Sequence, residues 1–447
     1  MECGMLKRVK ISGYKSLVDI DVELQPLTVL FGPNSAGKSN FLDALQLLSR
    51  ITTSKSLKAA FDPPYRGRPL ESFTFGPNGI ADLLGRESAE FWIEVDVKLS
   101  KSVIERVDRQ ILEMKRAVSD EVENSVSPLQ QAETRPATVR EDYLRYRIGV
   151  QVIPRSGVIR IIDEYLTSLT VNGEEKKARK PFLEKIKNRL HLRMEGQSHP
   201  TYYETYLDHS VLSTNLYAPH YPHMVAMREE LTEWFFFYLE PRERMRAPTA
   251  VKETANIGSM GEELASYLNT LQATNVRQFN AIGKALHAII PSIDGVRVDI
   301  NRVGEAELKI VEGGKEIPAS VMSEGTLRII GLLASCGAGN LPSLIGFEEP
   351  ENGIHPRRIQ LIAQMLRDLS QERNTTLVIT THSPVFLDVL PSESLYAVNR
   401  TKDGTNIRQL RESFGHLGRA YDVQKKLNQE EEPTVSERVR RGDFDAA

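Results

Sequence analysis

Residues 27–48 read LTVLFGPNSAGKSNFLDALQLL, and this stretch decides the fold. Leu27–Phe31 is a short run, apolar except for Thr28, the pattern of a strand buried on both faces of a parallel sheet. Gly32-Pro33-Asn34-Ser35-Ala36-Gly37-Lys38-Ser39 follows and matches G-x-x-x-x-G-K-[ST]. Ser39–Leu48 then spaces Phe41, Leu42, Leu45, Leu47 and Leu48 at helical intervals. Strand, glycine loop and helix in this order are the context the motif requires. The loop turns its backbone N–H groups inward on an anion, and the helix aims the positive end of its dipole at the same point. Lys38 then reaches the β- and γ-phosphates of a nucleotide, and the Ser39 hydroxyl takes a Mg²⁺ position. Gly32 to Asn40 are therefore the expected nucleotide contacts.

Outward from the loop, Val9–Ser12, Leu17–Leu24 and Glu90–Leu99 read as strands. Ser102–Val122 reads as a charged helix with Ile104, Val107, Ile111, Met114 and Val118 along one seam. That seam meets Glu121 after two heptads, short of the three to four that argue a coiled coil. Gln130–Val139 is polar and reads as a loop, with strands at Leu144–Ile153 and Trp234–Leu239. Helical spacing returns at Glu262–Leu271 and Val276–Ile289. A hairpin follows, turning at Gly313–Gly314 between Ala306–Val311 and Lys315–Ile317. From 321 to 400 the chain alternates: a helix from Gly325, strand Leu344–Phe347, helix Pro356–Leu369, strand Thr376–Thr380. This is parallel-sheet grammar, so the fold class is α/β. We divide the chain into an N-terminal lobe (1–100), an insertion or lid of mixed α+β character (101–250), a C-terminal lobe (251–427) and a polar tail (428–447).

The C-terminal lobe supplies the rest of a site. Strand Leu344–Phe347 runs into Glu348 and Glu349. Glu348 is placed to hold Mg²⁺ or its water shell, and Glu349 to orient an attacking water and accept its proton. Strand Thr376–Thr380 ends in Thr381-His382-Ser383-Pro384, and His382 sits where open α/β sheets bind ligands. Ser323 is a natural helix N-cap and Gly325 admits close backbone approach, so this helix start is a second candidate anion site. Each element has a plainer reading, as a solvated turn, a structural histidine or a capped helix; their order along the chain joins them.

Composition limits the alternatives. The 447 residues hold 57 Lys+Arg against 60 Asp+Glu, a net charge of −3, so any nucleic-acid contact must come from a local patch. Hydrophobic residues at 40% and charged residues at 26% describe a globular chain, not a disordered one. No run approaches the roughly 18 apolar residues of a membrane span, and Met1–Val9 lacks the apolar core of a secretory signal. Residence in the cytoplasm is expected. Two cysteines, Cys3 and Cys336, exclude a disulfide framework and a cysteine zinc site.

Phosphate loop, Ser-x-Gly helix start, acidic strand end and histidine, in this order, resemble the ABC-type ATPases, specifically their soluble RecF-like and OLD-like branch. FGPNSAGKSNFLDAL (31–45), MSEGTLR (322–328), FEEPENGIHP (347–356) and TTHSP (380–384) carry the resemblance, and ISGYKSLVDIDVEL (11–24) looks similar. The resemblance implies a P-loop head that binds ATP and Mg²⁺ and hydrolyses ATP. It also implies a homodimer or higher oligomer, in which Ser323 and Gly325 of one subunit close over the γ-phosphate held at Lys38 of the other. Asn352-Gly353-Ile354-His355 corresponds to the loop at that seam, and Lys15 to a basic residue that touches phosphate. The chain departs from the family pattern at Glu348, where Asp is usual, and at Met322 and Glu324, which argue against a transporter. It also has no clear glutamine loop between 50 and 100.

Full OLD-like proteins carry a Toprim nuclease domain after the histidine. The stretch beyond His382 is shorter than a domain of roughly 100–150 residues. A stand-alone ATPase controlling a separate effector, such as a nuclease in an antiviral system, is the expected reading. A nucleotide-dependent scaffold with little hydrolysis and, less favoured, a transporter subunit are the alternatives. Lys176, Lys177, Arg179, Lys180, Lys185, Lys187, Arg189 and Arg193 read either as a phosphate-backbone grip or as a solvated helix face. Arg242, Arg244 and Arg246 read similarly. Trp234–Tyr238 reads as a buried strand, and His220 and His223 as histidines without the companions a metal needs.

Overall fold

Leu27–Phe31 is buried at every position because strands flank it on both sides and both faces of its sheet are covered. The computed structural model describes residues 6–120, 138–195, 199–337, 342–372, 375–410 and 437. The central sheet has six strands in the order Trp234–Phe237, Leu344–Glu348, Thr376–Thr381, Leu27–Phe31, Leu395–Thr401 and Gly404–Gln409. The first five run parallel and the last returns antiparallel as a hairpin. The phosphate-loop strand thus lies beside the histidine strand, and the acidic strand lies one place further out. Their carboxyl ends meet along one edge, the ligand-binding edge of an open α/β sheet.

An antiparallel sheet of eight strands packs against this core, in the order Leu17–Glu23, Leu6–Tyr14, Ala89–Lys98, Tyr143–Ile153, Val158–Ser168, Leu183–Ile186, Arg189–Arg193 and Pro200–Glu204. The boundary expected at residue 100 falls inside this one hydrogen-bonded sheet, because Tyr143–Ile153 pairs along its length with Ala89–Lys98. The two sheets are tied at the site end: Thr405 N–H donates to Ser16 O at 2.8 Å, and Tyr396 Oη donates to Glu23 O at 2.8 Å.

One hydrophobic core joins the antiparallel sheet to helices Lys38–Thr53 and Pro222–Thr232. A second lies between the parallel sheet and helices Val276–Ile289, Glu324–Cys336 and Pro356–Glu372. The charged helix, Lys101–Asp120, buries Val103, Val107 and Ile111 in the first core. Ile104 and Met114 pack against the same core, so the seam is spent on the domain as far as Met114. Val122, residues 130–137 of the expected loop and the tail, apart from Glu437, lie outside the described residues.

The structure corrects the reading of the basic segment as a helix face. It forms the short strands Leu183–Ile186 and Arg189–Arg193, and acids answer several of its charges. Lys176 pairs with Glu141, Arg179 with Glu141 and Glu195, and Arg193 with Glu184. His223 is fully buried, stacks on Phe182, bonds through Nδ1 to Glu195 Oε1 at 2.6 Å and accepts the Glu141 N–H at Nε2. Among the described residues no cluster of His, Cys, Asp or Glu could hold a metal ion by itself, and no helix is long and apolar enough to cross a membrane.

Candidate nucleotide-binding site

The loop between Phe31 and Lys38 is forced into its shape by glycine. Gly32 (φ +149°) and Gly37 (φ +112°) adopt backbone conformations that L side chains rarely take. A Cβ on Gly32 would fall 2.1 Å from Val398 O, and one on Gly37 2.2 Å from Thr405 Oγ1. The loop is also braced from behind. Thr405 Oγ1 lies 2.8 Å from Ala36 O and 2.7 Å from Ser16 Oγ, and Asn40 Nδ2 donates to Ser16 Oγ at 2.7 Å.

Inside this frame lies a cavity of about 800 Å³. Asn34, Ser35, Gly37, Lys38, Ser39 and Asn40 line it from the loop, and Glu349 and His382 line it from the neighbouring strands. Lys38 Nζ is folded onto the loop's own carbonyls, 2.8 Å from Gly32 O and 2.9 Å from Pro33 O. Burial lowers its pKa, opposed by the charges of Glu349, Glu351 and Glu348. A polyphosphate would replace those carbonyls with full negative charge.

Ser39 Oγ donates to Glu348 Oε1 at 2.5 Å. A hydroxyl and a carboxylate oxygen side by side at a phosphate loop are the hard donors Mg²⁺ accepts, since this ion takes one or two carboxylates and completes its shell with phosphate and water. The residues fit the ion. Glu348 Oε2 is held by Arg66 Nη1 at 2.6 Å, and Arg66 Nη2 reaches Asp43 Oδ1 at 2.7 Å. Arg66 lies in the interval where no glutamine loop was legible.

Glu349 occupies a left-handed conformation (φ +46°), and its N–H donates to Thr380 O at 2.9 Å. Its Oε1 lies 3.0 Å from His382 Nδ1, and its Oε2 accepts from Asn352 Nδ2 at 2.6 Å. Glu351 lies behind this pair, only 4% exposed and bonded by Thr381 Oγ1; burial pushes its carboxyl pKa up.

Lys15 is not among the cavity's lining residues. Its Nζ is bound to Asp43 Oδ2 at 2.7 Å and to Arg66 O at 3.2 Å, because Asp43 is nearly buried on the inner face of the loop helix and needs a cation. The adjacent Ser16 lines the cavity, as does Arg400. Neither was legible beforehand: a lone serine after a turn and a lone arginine at a strand end carry no periodic signal. Ser323 caps its helix, accepting the Thr326 N–H at 3.1 Å, and does not line the cavity of its own chain. A Cβ on Gly325 would fall 2.4 Å from Gly353 O, so the helix start abuts the loop after the paired carboxylates.

Among known families, a model described as an AAA domain, putative AbiEii toxin of a type IV toxin–antitoxin system, matches residues 27–99 and 258–388, a little under half the chain. Protein ea59 of Escherichia phage lambda is 39% identical over 74 residues, 16% of this chain and 14% of that protein. The OLD nuclease of Thermus scotoductus is 48% identical over 80 residues, 14% of this chain and 15% of the nuclease. The chain therefore covers about a seventh of the length of these curated relatives. A solved SMC head bound to the C-terminal winged-helix domain of ScpA superposes with a TM-score of 0.48 at 12% identity, covering 90% of this chain and 96% of that one. The SMC head domain of Thermotoga maritima gives 0.41 at 11% identity, covering 91% and 98%. The AAA match takes in the phosphate loop and the strand ends that carry Glu348, Glu349 and His382, so the chain is similar to that family over the residues that build the cradle.

Proposed function

We propose that the cradle binds ATP and that the chain hydrolyses it to ADP and phosphate. The observation that carries this reading is the Glu349–His382 pair, 3.0 Å apart, facing Lys38 and Ser39 across one cavity. Lys38 and the loop N–H groups hold the phosphates. Mg²⁺, held by Ser39 and Glu348, would neutralise phosphate oxygens. Glu349 orients the attacking water and takes its proton, while Asn352 and His382 hold the carboxylate in place. A neutral His382 giving its Nδ1 proton to Glu349 has only a lone pair at Nε2. Donation from Nε2 to the γ-phosphate therefore requires the doubly protonated ring or release of Glu349.

Ser323 and Gly325 lie outside their own chain's cavity, which supports closure by a second subunit over ATP. Hydrolysis then removes the phosphate that the second subunit grips, opening the pair and passing the change to an effector. A nuclease is the effector we favour, since one relative is named for that activity. Nucleic acid, where it binds, meets Lys177, Lys180, Lys187 and Arg189, which remain exposed in the basic segment.

Glu349→Gln tests the reaction. It keeps an acceptor near His382 but removes the base, so turnover should fall by about 10²–10⁴ with ATP affinity intact. A variant as fast as the unaltered chain, or an unaltered chain as slow as the variant, would remove Glu349 from the chemistry and leave the scaffold reading.

A further inference from the structure

The hairpin Leu395–Thr401 and Gly404–Gln409 packs closely on the phosphate loop: Val398 O stands where a Cβ on Gly32 would fall, and Thr405 Oγ1 donates to Ala36 O. Arg400 stands between them: it follows Val398 by two residues and pairs in register with Thr405. Its side chain lines the cavity, and among the described residues no carboxylate is paired with it. A guanidinium on a paired strand beside a phosphate cradle, with no acid bound to it among the described residues, is matched to a phosphate oxygen pair.

Sheet order says which phosphate. Glu349 and His382 come from the strands on one side of Leu27–Phe31, and Arg400 comes from the strand on its other side. The reacting γ-phosphate belongs with Glu349 and His382. The opposite flank meets the part of the chain nearer the nucleoside.

We propose that Arg400 binds the α- and β-phosphates of the nucleotide, as an affinity determinant present equally for ATP and ADP. This rests on the nucleotide reading above, and the test separates the two. Titrating the unaltered chain, Arg400→Ala and Arg400→Lys with ATP and with ADP, each with Mg²⁺, should show the alanine variant weakened about 10- to 100-fold for both nucleotides. Lysine should recover part of the loss, as a point charge without the fork. Arg400 is exposed, so melting temperatures should stay together. Unchanged affinity in Arg400→Ala would overturn the assignment. A loss for ATP alone would also overturn it, by placing the guanidinium on the γ-phosphate. Absence of ATP and ADP binding by the unaltered chain would defeat the nucleotide reading itself.

Discussion

Replacing Thr405 by valine keeps the shape of the side chain and deletes one hydroxyl. That hydroxyl lies 2.8 Å from Ala36 O and 2.7 Å from Ser16 Oγ, and the Ala36 residue is only 1% exposed. Ser16 keeps its bond from Asn40. The Ala36 carbonyl loses this side-chain partner on the buried face of the phosphate loop. Leaving a buried acceptor unmet costs about 1–3 kcal/mol. If the brace only supports the fold, the whole cost appears as lost stability. If it shapes the cradle, part of it appears instead as weaker ATP binding, up to roughly 5- to 150-fold. Melting of the free chain and titration with ATP, run on Thr405→Val and on Thr405→Ser, separate the two. Valine should melt lower, by about 2–4 °C per kcal/mol on the scale of domains of 150–250 residues. It should also bind ATP more weakly, and serine should resemble the unaltered chain. Valine indistinguishable from the unaltered chain in both measurements would refute the claim that the hairpin holds the loop.

Two other perturbations probe different levels of the structure. Ser323→Arg places bulk and charge at a helix start that does not line its own cavity. ATP affinity should hold while the ATP-dependent dimer fraction, read by light scattering, falls; an unchanged fraction would count against closure by a second subunit. Glu164 is fully buried beneath residues 210–212, accepting from Tyr146, Ser210, Val211 and Leu212, and burial raises its pKa. The folded chain therefore keeps a proton there at pH values where the unfolded chain has lost it. That contribution is full below the ordinary carboxylate range and is lost as pH rises through the folded value, at up to about 1.4 kcal/mol per pH unit. Glu164→Gln should then cost less stability at pH 8 than at pH 5 by urea denaturation, and a cost that grows with pH would reverse the sign assigned here.

The parallel core was readable because burial on both faces leaves a plain mark. Leu27–Phe31, Leu344–Glu348 and Thr376–Thr381 are short runs of apolar and β-branched residues, and each is followed or ended by the residue types that chemistry needs at a strand's carboxyl edge. The strands between 183 and 204 were not readable. They are four or five residues long, rich in charge, and stabilised by cross-segment ion pairs such as Arg193–Glu184 that no local period reports. Lys15 shows the same dependence on distant residues. The resemblance matched it to a basic residue that touches phosphate, and here its ammonium is paired with Asp43, twenty-eight positions away and nearly buried. Arg66 and Arg400 reach the site only because the loop after the first helix and the last hairpin fold over it. Such proximity belongs to tertiary structure and leaves no trace in spacing.

Calorimetric titration of the full chain with ATP and Mg²⁺, beside Lys38→Ala, addresses the cradle most directly. One nucleotide should bind per chain, with affinity reduced roughly 10- to 100-fold or more when the ammonium is gone. No binding by the unaltered chain, or equal binding by both proteins, would contradict the account.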